Sequence, residues 1–375
     1  MNNIKLIMSI IRYLTLFPQM TMLTHSRTQG SVQSRSEGGY TMTRFLIGAV
    51  SALSLLAGTA TAQDYPAKEI QGIIQWGAGG STDTVMRAVT PHAEEVLGGT
   101  IVLQNMTGGV GAIALNHVAD EDADGYKLLM GAENPLLYKV MGLGDKDYSD
   151  FTAISILARG TPILVANNDA PFDDYPGMLA YIAENPGELR FGSTGPGGLP
   201  SVVTAMVEAV EGDLDVISVP YDGDGPALTA LQGGAIDVMP AVLGASIEAI
   251  KAGNMKALAV VDVEANEFLP DVPPVLEFNE GYSTYLPWGP FFGIFVKNGT
   301  PEDVVAKLQD AFSQSAEQQA FKDLMATRGF TLMNTAGDEA QEFLTSWQSN
   351  TAWLLQDAGM AKTSPEEFGI ARPGE

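Results

Sequence analysis

The sequence predicts an α/β protein of two lobes around a hinged cleft, preceded by an export signal. Three observations carry this. Short apolar strands alternate with amphipathic helices from residue 63 onwards. Three strands run into glycine-rich turns that open helices. Two extended segments, one near residue 160 and one near residue 290, give the chain places to leave one lobe and return to it.

Residues 42–62, MTRFLIGAVSALSLLAGTATA, read as a secretory signal: Arg44, an apolar stretch from Phe45 to Leu56, and the small-residue end Ala60-Thr61-Ala62. The stretch is short for a membrane span. Thr59 stands where a lipid anchor needs cysteine, so the processed chain is expected free, starting near Gln63 and residing in the periplasm. Residues 1–41 read as a non-native upstream extension, with translation starting at Met42; a genuine extension from Met1 is the alternative.

Of 20 basic and 45 acidic residues, five basic and one acidic precede Gln63, leaving a net charge of −29 beyond it. Such a chain repels nucleic acid and anionic membranes. There is no cysteine, hence no disulfide, and no metal-ligand spacing stands out.

Ile70–Gln75 reads as a strand, followed by Gly77, Gly79 and Gly80 and then a helix over 82–97 with Val85, Met86, Val89, Ala93, Val96 and Leu97 on one face. Ser81, Thr82 and Asp83 are N-cap types. Free N–H groups and the helix dipole at such a start suit an anion, although the stretch alone also fits a strand–turn–helix that binds nothing. Gly98-Gly99 stops the helix and Thr100–Gln104 forms a second strand. A second glycine turn (Gly108, Gly109, Gly111) leads to another helix, and Tyr126–Met130 is a third strand. The alternation predicts parallel strands with ligands at their carboxyl ends.

ISILARGTPILVA, residues 154–166, is the first crossover. The second lobe then holds a helix at 176–185, a strand at Leu189–Gly192, the turn STGPGGLPS, a helix at 201–210, and strands at Val216–Val219, Ile236–Met239 and Ala257–Val261. FFGIFV, residues 291–296, returns to the first lobe, followed by helices at 301–315, 317–328 and 339–356. The expected domains are 63–160 plus 290–375, and 161–289.

Little catalytic chemistry is on offer. His92 and His117 fall on helices away from the glycine turns, and GSTG at 192–195 is not a nucleophile elbow. A dinucleotide-binding enzyme is the rival, yet Thr82 replaces the third glycine of its fingerprint and Gln104-Asn105 offers no ribose-binding acid.

Taken together, residues 64–366 resemble the periplasmic solute-binding receptors of tripartite tricarboxylate transporters, the Bug family. The resemblance rests on IIQWGAGGSTDTVMR, QNMTGGVGAIA, FGSTGPGG, VPYDGDGPALTALQGGAIDVM, LPDVPPVLE and WGPFFGIFVKNGTPEDVV, in that order. It implies a two-domain, type II periplasmic-binding-protein-like α/β fold with the ligand cleft between the lobes. It further implies a non-enzymatic, cofactor-free monomer that catches a small carboxylate (a di- or tricarboxylate, an aromatic acid or an amino acid) and delivers it to membrane subunits. A secreted sensory or scaffold protein of the same fold is the alternative. Screening within about 10 Å at 0.1 M salt reconciles an anionic ligand with an acidic chain.

By this resemblance the ligand meets Gly79, Gly80, Ser81 and Thr82, with Asp83 capping the helix or touching a polar ligand group. Gly108 and Gly109 follow from the second turn, and Ser193, Thr194, Gly195 and Tyr221 close from the other lobe. Ser193 and Thr194 equally fit N-caps of helix 201–210, and Trp76 fits either the pocket wall or the core. The chain departs from the family at Met106-Thr107 (usually Arg-Pro), in the third loop, which lacks the His often found after its serine and shows Leu199-Pro200, at Asp222 (usually Lys) and at Glu133-Asn134 (often Thr or Ser). If Glu133 and Asp222 face the cleft, they disfavour a tricarboxylate and favour a less charged or zwitterionic ligand. Ordinary dicarboxylate binding under an acidic surface is the other reading.

Overall fold

In the computed structural model, residues 65–374 are described; the expected upstream extension 1–41 and signal 42–62 lie outside the described residues. The described chain builds two mixed sheets within one compact unit. In the first sheet, β1 (Ile70–Ile74) pairs in parallel with β2 (Ile101–Asn105) and β3 (Lys127–Ala132). Helices α1 (Ser81–Leu97) and α2 (Ala112–Ala119) make the crossovers. A 3-10 turn at Asn134–Leu137 and the short α3 (Tyr138–Met141) lead to β4 (Phe151–Arg159).

The extended segment at 154–166 is two strands in two sheets. β4 belongs to the first, and β5 (Pro162–Ala166) to the second, so the chain changes lobes at Gly160-Thr161. The second lobe adds α4 (Tyr175–Glu184), β6 (Arg190–Ser193), α5 (Leu199–Glu211), β7 (Ile217–Pro220), α6 (Asp224–Gln232), β8 (Val238–Val242), α7 (Leu243–Lys251) and β9 (Lys256–Val260). β10 (Phe291–Lys297) returns, followed by α8 (Glu302–Ala316), α9 (Gln319–Thr327), β11 (Thr331–Thr335) and α10 (Gly337–Asp357).

The strand orders repeat. The first sheet reads β11-β4-β10-β3-β1-β2 and the second β7-β6-β8-β5-β9. In each, three parallel strands run in the order 2-1-3, and a strand entering from the other lobe inserts antiparallel next to the third. The expectation of parallel strands holds for β1, β2 and β3, and the inserted strands add antiparallel pairing to it. β5 and β10 each come straight from the other lobe rather than through a local crossover helix, and so can pair antiparallel.

β5 shows why both faces are covered. All five of its residues are buried; Leu164 and Ala166 join the larger core, while Ile163 and Val165 point to a second cluster with Met239, Ala241 and Ile247. The period of two thus feeds two apolar layers, the pattern of a sheet sandwiched by helices. α1 buries Val85, Met86, Val89 and Ala93 on one stripe and ends at Gly98 in the left-handed region (φ +66°). Each fully buried side chain of this size contributes about 1.5–3 kcal/mol relative to exposure. His92 and His117 are half-buried on their helices: His92 contacts Glu95 and Gln318, and His117 contacts Lys127.

Candidate functional site

The strand ends of both lobes meet in a small cavity. It is lined from the first lobe by Trp76, Gly80, Ser81 and Thr82 after β1 and by Ala132, Glu133 and Asn134 after β3. The second lobe supplies Thr194 and Leu199, then Gly223 and Asp224, with Val242; Pro290 and Phe292 come from the returning segment. About 30 Å³ is open to the centres of water-sized molecules, room for roughly two waters. Three hydrogen bonds tie the lobes around it: Gly77 N–H to the Asp222 carbonyl (2.9 Å), Thr107 Oγ1 to Asp222 Oδ2 (3.3 Å), and Asn134 Nδ2 to the Gly197 carbonyl (3.2 Å).

Contact is close enough to specify glycine. A Cβ on Gly225 would lie 2.3 Å from the Ala78 carbonyl oxygen and 2.9 Å from the Gly80 nitrogen, both rigid backbone atoms. Only glycine lets α6 approach the first loop this closely.

The local structure at the start of α1 leaves backbone donors free, an arrangement that suits an anion. Gly80, not a side-chain capper, holds the N-cap position, and no side chain bonds the helix's first N–H groups. This corrects the expectation that Ser81, Thr82 or Asp83 caps: Ser81 is the first helical residue. The first intrahelical donor is the Thr84 N–H, which reaches the Gly80 carbonyl at 3.0 Å. The N–H groups of Ser81, Thr82 and Asp83 precede it and have no carbonyl one turn back. Ser81 is 2 % exposed, and its hydroxyl has no hydrogen-bond partner among the described residues. Asp83 turns to its own loop, accepting from Gly79 N–H (3.0 Å), Arg87 Nε (2.7 Å) and Asn105 Nδ2 (2.9 Å).

Glu133 is the most confined acid. It is 3 % exposed, its Oε2 has no partner among the described residues, and desolvation pushes its carboxyl up to about 8 against a backbone hydrogen bond at Glu133 itself, with Asp224 adding repulsion. Desolvation likewise pushes Asp224 up to about 6, against the lowering effect of the Val242 N–H at 3.4 Å.

The structure brings seven of the sequence-derived residues to the cavity: Trp76, Gly80, Ser81, Thr82, Glu133, Asn134 and Thr194. Trp76 both walls it and joins the core. The others serve the rim or their own loops. Gly79 turns the first loop with φ +80°, and Gly108 and Gly109 shape the second turn. Gly195 faces Val110 of the first lobe, and Ser193 accepts from Gly195 N–H at 3.0 Å. Tyr221 packs on the second-lobe core. Asp222 is exposed and latched to Thr107, outside the lining. Neither Ser193 nor Thr194 caps the following helix; Gly198 stands at that N-cap with no side-chain bond. Sequence reading missed Asp224, Gly223, Leu199, Val242, Pro290 and Phe292. Asp224, two residues beyond the acid it singled out, carried the clearest available signal: an acid between two glycines at a helix start.

The sequence model of the tripartite tricarboxylate transporter family receptor matches residues 85–360. The chain belongs to this family. It is a family of solute-binding receptors, not of enzymes. Among Bug relatives, the protein BugT of Bordetella pertussis is 29% identical over 328 residues, covering 85% of this chain and 98% of BugT. The solved periplasmic binding protein BugD superposes with a TM-score of 0.74 at 26% identity, covering 80% of this chain and all of BugD. MatC of Rhodopseudomonas palustris, solved with bound malate, superposes at 0.70 and 26% identity, covering 76% of this chain and all of MatC. Both likenesses bear out the two-sheet α/β receptor fold. Among the described residues no helix is long and apolar enough to cross a membrane, and no group of metal-ligating side chains assembles.

Proposed function

We propose that this receptor captures a small organic carboxylate in the interlobe cavity and delivers it to the membrane subunits of a tripartite tricarboxylate transporter. The start of α1 carries the reading. Its unpaired N–H groups and the orphaned Ser81 hydroxyl face a cavity between two lobes, and backbone donors at a helix N-terminus favour an anion. The malate bound to MatC, a relative of the same fold, supports the ligand class. Trp76 and Thr194 wall the carboxylate in, and Asn134 joins the lobes over it.

The moving bodies are residues 63–160 with 290–375, and 161–289. They hinge where Gly160 N–H meets the Pro290 carbonyl at 2.8 Å. The protein works as a periplasmic monomer released by cleavage after residue 62, needs no cofactor and carries out no reaction.

The test is a thermal-shift screen of residues 63–375 against dicarboxylates, tricarboxylates, aromatic acids, amino acids and nucleotides. A ligand at a hundred times its Kd stabilises by about 2.7 kcal/mol. A shift with small carboxylates is expected; a shift with nucleotides alone overturns the reading. Loss of labelled-acid uptake on deleting the membrane subunits tests delivery.

A further inference from the structure

Two acids face the cavity from opposite lobes, and no base does. Glu133 stands on the turn after β3 of the first lobe, and Asp224 is the first residue of α6 in the second. Among the described residues, the lining contains no lysine, arginine or histidine. Arg87, on the helix that opens the site, is already bonded to Asp83 and Asn105. Glu133 Oε2 is buried without a donor, and the one backbone donor to Asp224 sits at a long 3.4 Å. Ser81 Oγ, also orphaned, marks the same cavity independently. A buried carboxylate with one oxygen left unpaired is costly, and fold stability alone gives no reason to keep one.

A ligand that is only an anion makes this worse. Seated on α1, its carboxylate adds negative charge beside two acids already pressed towards their neutral forms. A positive group on the ligand answers both acids at once through charge-assisted hydrogen bonds.

We propose that Glu133 and Asp224 form a cation subsite, so that the cargo is an amino-acid-like zwitterion with its carboxylate on the N-terminus of α1 and its ammonium between the two acids. This rests on the carboxylate reading above and narrows it. The subsite spans the lobes, since Glu133 belongs to one and Asp224 to the other. An ammonium between them therefore joins the lobes, and ligand charge becomes part of closure. A tricarboxylate is rejected because its extra charges meet the same two acids.

The test uses pairs that differ only by the α-amine: propionate and alanine, succinate and aspartate, glutarate and glutamate, 4-methylpentanoate and leucine, 3-phenylpropionate and phenylalanine. Affinities are measured by calorimetry for residues 63–375, for Glu133→Gln and for Asp224→Asn. The tightest binder is expected to carry the amine and to exceed its partner at least about tenfold. Each variant is expected to bring that ratio within about threefold; Asp224→Asn, at a less buried position, supplies the readout if Glu133→Gln does not fold. A wild-type protein that binds the amine-free member equally or better overturns the subsite and leaves the carboxylate reading standing. So does a ratio that survives in the variants. Binding of none of these acids overturns the carboxylate reading and the subsite with it.

Discussion

The two lobes enter their cavity-facing helices in the same way and offer opposite chemistry. α1 and α5 both follow a glycine-rich turn after a parallel strand, and both are capped by a glycine with no side-chain bond. Thr84 N–H bonds the Gly80 carbonyl, and Val202 N–H bonds the Gly198 carbonyl, each at 3.0 Å. The next residues differ. α1 continues Ser81-Thr82, with two N–H groups and two hydroxyls, whereas α5 continues Leu199-Pro200, with an apolar side chain and a residue that has no N–H. One topology thus yields a donor-rich helix start in the first lobe and an apolar, donor-poor one in the second. That difference is made by side-chain choice at two positions, not by the fold, and the proposed anion site rests on it.

Four experiments break or sharpen this contrast. Thr82→Pro gives α1 the donor pattern of α5. Proline is tolerated in a first helical turn, so the melting temperature should hold while carboxylate affinity falls by about a hundredfold, roughly 2.7 kcal/mol. Affinity kept within a few-fold would falsify the proposed anion site.

The acids supply the second contrast. Glu133 is neutral-favoured in the fold, with its pKa raised from 4.5 to about 8. The folded protein therefore binds more protons than the unfolded chain between those values. This stability is full below about pH 4.5 and is lost as pH rises through 8. From about pH 6 to 8.5 the wild type should lose about 2 kcal/mol that Glu133→Gln retains, read from urea midpoints. Parallel pH profiles would contradict the burial of Glu133. Asp224 acts in the same direction at lower pH, as its carboxyl is raised to about 6.

Gly225→Ala tests whether the lobes must touch. Its Cβ would press on the Ala78 carbonyl, so affinity should drop about tenfold with little change in secondary structure. Unchanged affinity would mean that binding does not need this approach. The smallest effect is the reciprocal swap. Pro200→Thr gives the start of α5 a donor and should alter carboxylate affinity less than about threefold, because Leu199 still stands at the cavity. A large gain would make the start of α5 a second anion site.

Much of this organisation was legible in the sequence. Helix α1 and the closing α10 announced themselves by apolar spacing, and the two crossings by strands set outside the local alternation. Three elements were not legible. α7 starts at Leu243 straight after β8, with Val242 at its N-cap and neither a capping side chain nor a glycine turn to mark it. β11, Thr331–Thr335, is a short polar edge strand held by β4 rather than by its own pattern. The turn and helix at 134–141 are buried nearly all round and so lack a polar face.

At the site, sequence reading located the first loop and Glu133-Asn134 but singled out Asp222 instead of Asp224. The cause is backbone geometry. Gly223 at φ +121° redirects the chain, so that Asp222 faces solvent and Thr107 while Asp224 opens α6 at the cavity. Nothing in a string of alternating Asp and Gly records that turn. The N-cap error has the same root: Ser, Thr and Asp favour caps, but the loop's tight path left that position to Gly80.

The most direct measurement is a crystal structure of residues 63–375 with the tightest acid from the paired panel. A carboxylate is expected within about 3 Å of the Ser81 and Thr82 N–H groups, enclosed by Trp76 and Thr194 between the lobes. An acid seated on the α5 side, or outside the cavity altogether, would contradict it.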